Sequence, residues 1–215
     1  MILYDPKNRE EWLKCRCRGL GGSDAGAVIG VNKYKTNLEL WQEKTRRVRP
    51  ADISDKESVA YGKAAEQYIR ALFLLDHPEF TSEYHEYRMY ANDNYPFLYA
   101  TLDGELIDRD GVKGVLEIKT TTIKNSSQWA EWDDRIPDSY YAQVLHQLLA
   151  TGWDFVILRA FIRYYKGEEL RACVRDYPIE REEVLEDMDA LMTQEIKFWE
   201  CVKNNREPAL IMPEI

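Results

Sequence analysis

A mixed α/β protein, with a central mixed β-sheet flanked by helices, is the fold class this sequence predicts. Three observations lead there. Residues 57–75 carry apolar side chains at helical spacing. Between 82 and 122 the period changes to two, as half-buried strands require. Helical spacing then returns at 139–151 and at the C-terminal end, with two strand-like runs between.

In chain order, Asp5 followed by Pro6 reads as an N-cap with proline at the first helical position, opening a helix through about Cys17. "GLGGSDAGAVIG" breaks the chain and restarts it, with Ser23 an N-cap for a short helix over 24–29. Thr36 or Asn37 caps a helix through "LELWQEKT", and 57–75 forms a long one. "SEYHEYRMY", "FLYATLDGEL" and "GVLEIKTTT" read as three strands, the last two joined by a hairpin turn at Asp110-Gly111. "SYYAQVLHQLLATG" is a helix ending at Gly152. "FVILRAFIRYY" and "ELRACVRDY" are strands joined around Gly167, and a last helix over about 179–204 precedes an extended tail. Without internal repeats or Gly/Ser linkers, residues 1–215 read as one domain, with 179–215 as its C-terminal helix and tail.

The chain of 215 residues is 45% hydrophobic and 31% charged, which is a globular composition able to bury a core. No apolar run approaches the roughly 20 residues of a membrane span, and "MILYDPKNREEW" lacks a signal-peptide pattern. A cytoplasmic protein is the expectation. Cys15, Cys17, Cys173 and Cys201 include no C-x-x-C pair, so free thiols are favoured over an iron–sulfur cluster. A net charge of −9 argues against a basic nucleic-acid coat but leaves room for a local basic groove.

Chemistry concentrates in "GVLEIKTTT". Strand alternation sends Glu117 and Lys119 to one face and Leu116 and Ile118 to the other. A plain surface ion pair is one reading and a metal-dependent active site the other. Asp103 ends the preceding strand-like run, and its Asp-Gly pair alone reads as a turn. Paired strands lie about 5 Å apart, so Asp103 and Glu117 can approach one point. Two carboxylates that converge need a cation between them. Oxygen ligands suit Mg²⁺, with Mn²⁺ a possible substitute. Lys119 then stands where it can orient or deprotonate an attacking water, or stabilise charge on a phosphate. Ser23 at a helix N-terminus has an anion-binding argument of its own beside the plain N-cap reading. Lys14, Arg16 and Arg18 form a basic patch in an acidic chain. His77, His85 and His146 lack metal-ligand spacing and read as structural or surface groups.

The pattern D-x(13)-E-x-K resembles the core of the PD-(D/E)XK nuclease superfamily, although Leu102 stands where that pattern has a leading proline. "GLGGSDAGAVIGVNKYKTNLELWQEKT", "YGKAAE" and "YYAQVLHQLLATG" resemble segments of the YqaJ-like viral recombinase, or phage lambda-type exonuclease, family. Together these segments cover roughly residues 12–165.

The resemblance implies a restriction-endonuclease-like fold and a deoxyribonuclease that resects one strand of linear duplex DNA, 5′→3′, leaving 3′ single-stranded overhangs for recombination. It implies Asp103, Glu117 and Glu66 as metal ligands, Lys119 as the catalytic lysine and Gln143 as its helper. Arg16, with Arg18 the near alternative, and Ser23 would hold a 5′-phosphate. It further implies a trimeric ring around DNA, a single-strand annealing protein as partner, and a phage or prophage gene expressed in a bacterial host. A related endonuclease and an inactive DNA-binding or assembly module are the alternatives.

Overall fold

The first strand of the chain is one that composition does not announce. The computed structural model describes residues 1–53 and 55–212. Ile2–Tyr4 form β1, and the first helix, α1, spans Arg9–Arg16 with Asn8 as its N-cap, accepting the Glu11 N–H at 3.0 Å. The expected start at Asp5-Pro6 is therefore corrected by three residues. Asp5 spends its carboxylate on Arg88, at 3.0 Å, and has none left to cap a helix.

Helix α2 runs over Gly22–Val28 with Gly21 at the N-cap position. Ser23 sits inside its first turn, which corrects the expectation that Ser23 caps it. Asp24 reaches back instead, its Oδ2 accepting the Gly21 N–H at 3.0 Å, and this starts the helix earlier. Thr36 caps α3, Asn37–Lys44, by a reciprocal bond pattern with Glu39. Helix α4 spans Glu57–Asp76.

The expected first strand splits. Thr81–Glu83 form β2 and Met89–Ala91 form β3, and they join different sheets. The second expected strand splits likewise into β4, Tyr99–Ala100, and β5, Gly104–Ile107. Strand β6 is Lys113–Ile123, reached through a turn in which Gly111 holds φ +83°. Helices α5, Ser126–Ala130, and α6, Asp138–Thr151, follow; Gly152 ends α6 in the left-handed region at φ +72°. Strands β7, Phe155–Lys166, and β8, Glu169–Glu180, make a long hairpin. The last helix, α7, is Leu185–Lys203, entered through a 3-10 turn at Arg181–Val184, because pairing with β7 keeps β8 extended through Glu180. Residues 206–212 are extended or irregular, and 213–215 of the expected tail lie outside the described residues.

The main sheet has the order β2-β5-β6-β7-β8, with β6 and β7 parallel and the other pairs antiparallel. The parallel pair needs a crossover, and α5 and α6 supply it. On one face α4 buries Ile69 and Phe73 against Leu106, Leu116, Ile118 and Ile157. On the other face α6 buries Val144, Leu145 and Leu148 against Val115, Val156, Leu158 and Ile162. The small sheet β1-β3-β4 and helices α2, α3 and α7 close that second layer. Among the described residues, no helix is long and apolar enough to cross a membrane.

Candidate active site

Register brings the two carboxylates of the E-x-K pattern together. Gly104 pairs with Leu116 at the start of β5, so Asp103 lies one step beyond the ladder, beside Glu117. Asp103 thus precedes a strand and does not end one, a correction to the sequence reading. Its Oδ2 accepts the Ile118 N–H at 2.8 Å, continuing the β5–β6 pairing with a side chain. The Asp103 carbonyl in turn accepts from Arg70 Nε on α4 at 2.6 Å.

Glu117 is 3% exposed and is held from three sides. Its Oε1 accepts from Gln143 Nε2 at 2.6 Å and faces Lys119 Nζ at 2.7 Å; its Oε2 accepts from Gln147 Nε2. A carboxylate offers about four lone-pair sites, so three donors leave one open. Lys119 Nζ also donates to Gln143 Oε1 at 2.8 Å. Only one orientation of the Gln143 amide satisfies both Glu117 and Lys119. Gln147 is buried with its Oε1 unpartnered, so holding Glu117 is the hydrogen bond that fixes this amide.

The electrostatics suit a bound cation. Burial, then the charges of Glu117 and Glu66, hold the Asp103 carboxyl well above the usual carboxylate range. Burial followed by Glu117 raises Glu66 as well. Around Lys119 burial opposes the ammonium, but Glu117 and Asp103 outweigh it and the pKa rises. Three mutually repelling carboxylates with oxygen donors are a set that a hard divalent cation fits.

Arg16 and Ser23 also meet. Arg16 Nη2 donates to Ser23 Oγ at 3.2 Å, and the guanidinium lies 4.6 Å above the Trp12 ring. Tyr99 Oη donates to the Arg16 carbonyl at 2.7 Å. Beneath them Asp24 and Lys44 form a buried ion pair at 2.7 Å. Burial opposes the Asp24 charge, but Lys44 and Arg16 win and its acidity increases. Gly22 connects this pocket to the carboxylates: a Cβ there would come 3.0 Å from Gln143 Cγ and 3.6 Å from Gln147 Cγ. Gly22 thus lets α2 approach α6 at the residues that grip Glu117, while Gly21 lets it approach the Tyr99 ring. Lys14 pairs with Glu10 on the surface, away from this contact.

Three side chains of the site were given no role in the sequence reading. Gln147 recurs four residues after Gln143, the spacing of one helical face. Arg70 lies one turn after Glu66, and the exposed Tyr84 ring stacks 3.8 Å from its guanidinium. A second group, Glu83, His85 and Glu105, brings ligand atoms within 4.8 Å of one another. Its Glu105 already has partners: Tyr90 Oη donates to Glu105 Oε1, and Arg88 Nη1 stands 3.7 Å from the same atom. The four cysteines are free thiols.

Relatives agree with this architecture. The profile of the YqaJ-like viral recombinase domain matches residues 11–154. YqaJ of Bacillus subtilis (strain 168) is 34% identical over 217 residues, covering 94% of this chain and 59% of YqaJ. The chain therefore spans about three fifths of that relative's length. Among solved structures, the alkaline exonuclease LHK-Exo from Laribacter hongkongensis superposes with a TM-score of 0.70 at 18% identity, covering 91% of this chain and 93% of its own. The structure of LHK-Exo in complex with dAMP gives 0.66 at the same identity and coverage. At this identity the likeness is one of fold, the PD-(D/E)XK nuclease-like fold. By the match over residues 11–154, the chain belongs to the YqaJ-like viral recombinase domain family.

Proposed function

We propose that this chain is a metal-dependent exonuclease that resects one strand of linear duplex DNA. The observation that carries the reading is Glu117, buried and gripped by Gln143, Gln147 and Lys119, beside Asp103. In it, Asp103, Glu117 and Glu66 hold Mg²⁺, with Mn²⁺ a substitute. When bound, the cation supplies a Lewis acid and an acidified water. The one open lone pair on Glu117 is available for this. Lys119 keeps its proton, as the raised pKa indicates, and acts as a fixed positive charge that orients the water and faces the scissile phosphate. Gln143 holds Lys119 and Glu117 in one geometry.

Arg16 and Ser23 bind the terminal 5′-phosphate and so set the 5′→3′ direction; a guanidinium beside a hydroxyl is a suitable phosphate donor pair. The 3′ overhang passes to a single-strand annealing protein, and a trimeric ring around the duplex keeps the enzyme on its substrate. Residues 1–215 act as one nuclease domain in a bacterial cytoplasm, phage or prophage encoded. The family's description as a viral recombinase domain supports the recombination role and the phage origin.

Digestion of linear duplex labelled at each 5′ end, with and without Mg²⁺, tests the reading. Stepwise Mg²⁺-dependent release from the 5′ ends is expected, with covalently closed circles spared and Glu117→Ala inactive. Cut circles indicate an endonuclease. No cleavage with any divalent metal removes the enzymatic reading.

A further inference from the structure

Lys119 has a third neighbour besides Glu117 and Gln143. Its Nζ lies 4.7 Å from the centroid of the Tyr140 ring. Tyr140, Gln143 and Gln147 stand at i, i+3 and i+7 on α6, one stripe facing β6. The Tyr140 ring is itself backed by Trp132, 5.7 Å away between centroids. Trp132 is 3% exposed, and its carbonyl accepts from Tyr177 Oη at 2.6 Å and from Arg175. The aromatic pair is therefore anchored to β8 on its far side.

We propose that Tyr140 is a positioning residue that holds the Lys119 ammonium through the face of its ring, a role that rests on the nuclease reading above. Lysine has a flexible four-carbon stem and a point charge, so its two hydrogen bonds alone leave it free to swing about them. The electron-rich face attracts the cation and closes the side that Glu117 and Gln143 leave uncovered. With two N–H groups bonded and the ring beside the third, the charge is held at one point next to Glu117. Asp103 and Glu117 also attract this ammonium, and without the ring they can draw it deeper among the carboxylates and away from substrate.

The test compares Tyr140→Phe, Tyr140→Leu and a series of progressively fluorinated phenylalanines at position 140. Fluorine withdraws charge from the ring face at nearly constant shape. The readouts are the single-turnover rate on linear duplex with saturating Mg²⁺, the Kd for DNA, and the Tm. Tyr140→Phe should keep the rate within about threefold, and Tyr140→Leu should slow it by about 10–30-fold, the range expected of a desolvated cation–π contact. The rate should fall stepwise with fluorination while Kd and Tm stay put. A Tyr140→Leu enzyme as fast as wild type, or a fluorinated series with a flat rate, overturns the role. If Tyr140→Leu does not fold, the isosteric fluorinated series decides.

A second readout does not depend on activity. Carbon-13 labelled lysine should show an upfield ring-current shift of the Lys119 side-chain methylene next to Nζ, absent in Tyr140→Leu. Wild-type protein that cleaves nothing sinks the nuclease reading, whereas a missing ring-current shift sinks the Tyr140 contact by itself.

Discussion

Lys119→Ala is expected to slow single-turnover cleavage of linear duplex by roughly 10²–10⁴-fold, the range spanned by removing a positioned catalytic group. The Kd for DNA should change by no more than about threefold, since a duplex is held mainly by many phosphate contacts. The physical reason is that the Lys119 charge is one of very few cationic groups at the carboxylates. Nζ touches Glu117 Oε1 at 2.7 Å and Gln143 Oε1 at 2.8 Å, and no other lysine shares that position. Lys119→Arg should recover little, because a planar guanidinium cannot take the place of a compact ammonium between two oxygens and a ring. Cleavage at the wild-type rate by Lys119→Ala contradicts the proposed chemistry, and an equal loss of DNA affinity shifts Lys119 to a binding role.

The second large effect concerns stability, and it comes from the far side of the same helix. His146 and Glu195 are both fully buried, with Nδ1 and Oε1 2.6 Å apart; His146 Nε2 lies 2.9 Å from the Tyr99 carbonyl. With Glu195 ionised both partners are acceptors, an arrangement that both ring nitrogens of an imidazolium satisfy by donating. Burial opposes that charge, but Glu195 and the Tyr99 carbonyl, with Asp24 further off, outweigh it and raise the pKa. This ion pair ties α6 to α7 and to β4. His146→Ala leaves an uncompensated buried carboxylate, a change of about 3–5 kcal/mol, or a Tm lower by roughly 6–20 °C in a chain of this size. The double replacement His146→Leu with Glu195→Leu should restore much of the loss, since an apolar pair leaves no charge stranded.

The pH dependence has a definite sign. A raised folded pKa means that the clamp's stability is fully present below the unfolded value of 6.5 and is lost as pH rises through the folded value. The difference in Tm between wild type and the double variant should therefore shrink from pH 6 toward alkaline pH. Asp103 and Glu66, also raised, act in the same direction over a window that opens in the ordinary carboxylate range. Because they are common to both proteins, the comparison isolates the His146–Glu195 pair. A difference that widens with pH contradicts the imidazolium assignment.

The sheet core and the carboxylate pair were legible because their signals are local. Alternation in "GVLEIKTTT" fixes which face Glu117 occupies, and the Asp110-Gly111 turn fixes the register that sets Asp103 beside it. Helix α6 and its Gly152 terminus follow from spacing and a left-handed residue. What was hidden is tertiary. "SEYHEYRMY" alternates throughout, yet β2 and β3 find partners in different sheets, and only those partners distinguish the two halves. The Asp5-Pro6 pair has the makings of a helix start, but Arg88, 83 residues away, takes the carboxylate. Gln147 and Tyr140 look like an ordinary polar residue and an ordinary aromatic one until α6 is laid across β6. Arg16 and Ser23 were named as a pair, and the structure places them in contact, although Ser23 is not the cap.

The most direct test of a metal-dependent nuclease centre is an anomalous difference map from crystals of the chain grown with Mn²⁺ and a linear duplex end. The account predicts a peak at coordination distance from the carboxylates of Asp103 and Glu117, with Glu66 beside it and the Lys119 ammonium near the scissile phosphate. No peak there, with one instead among Glu83, His85 and Glu105, contradicts it.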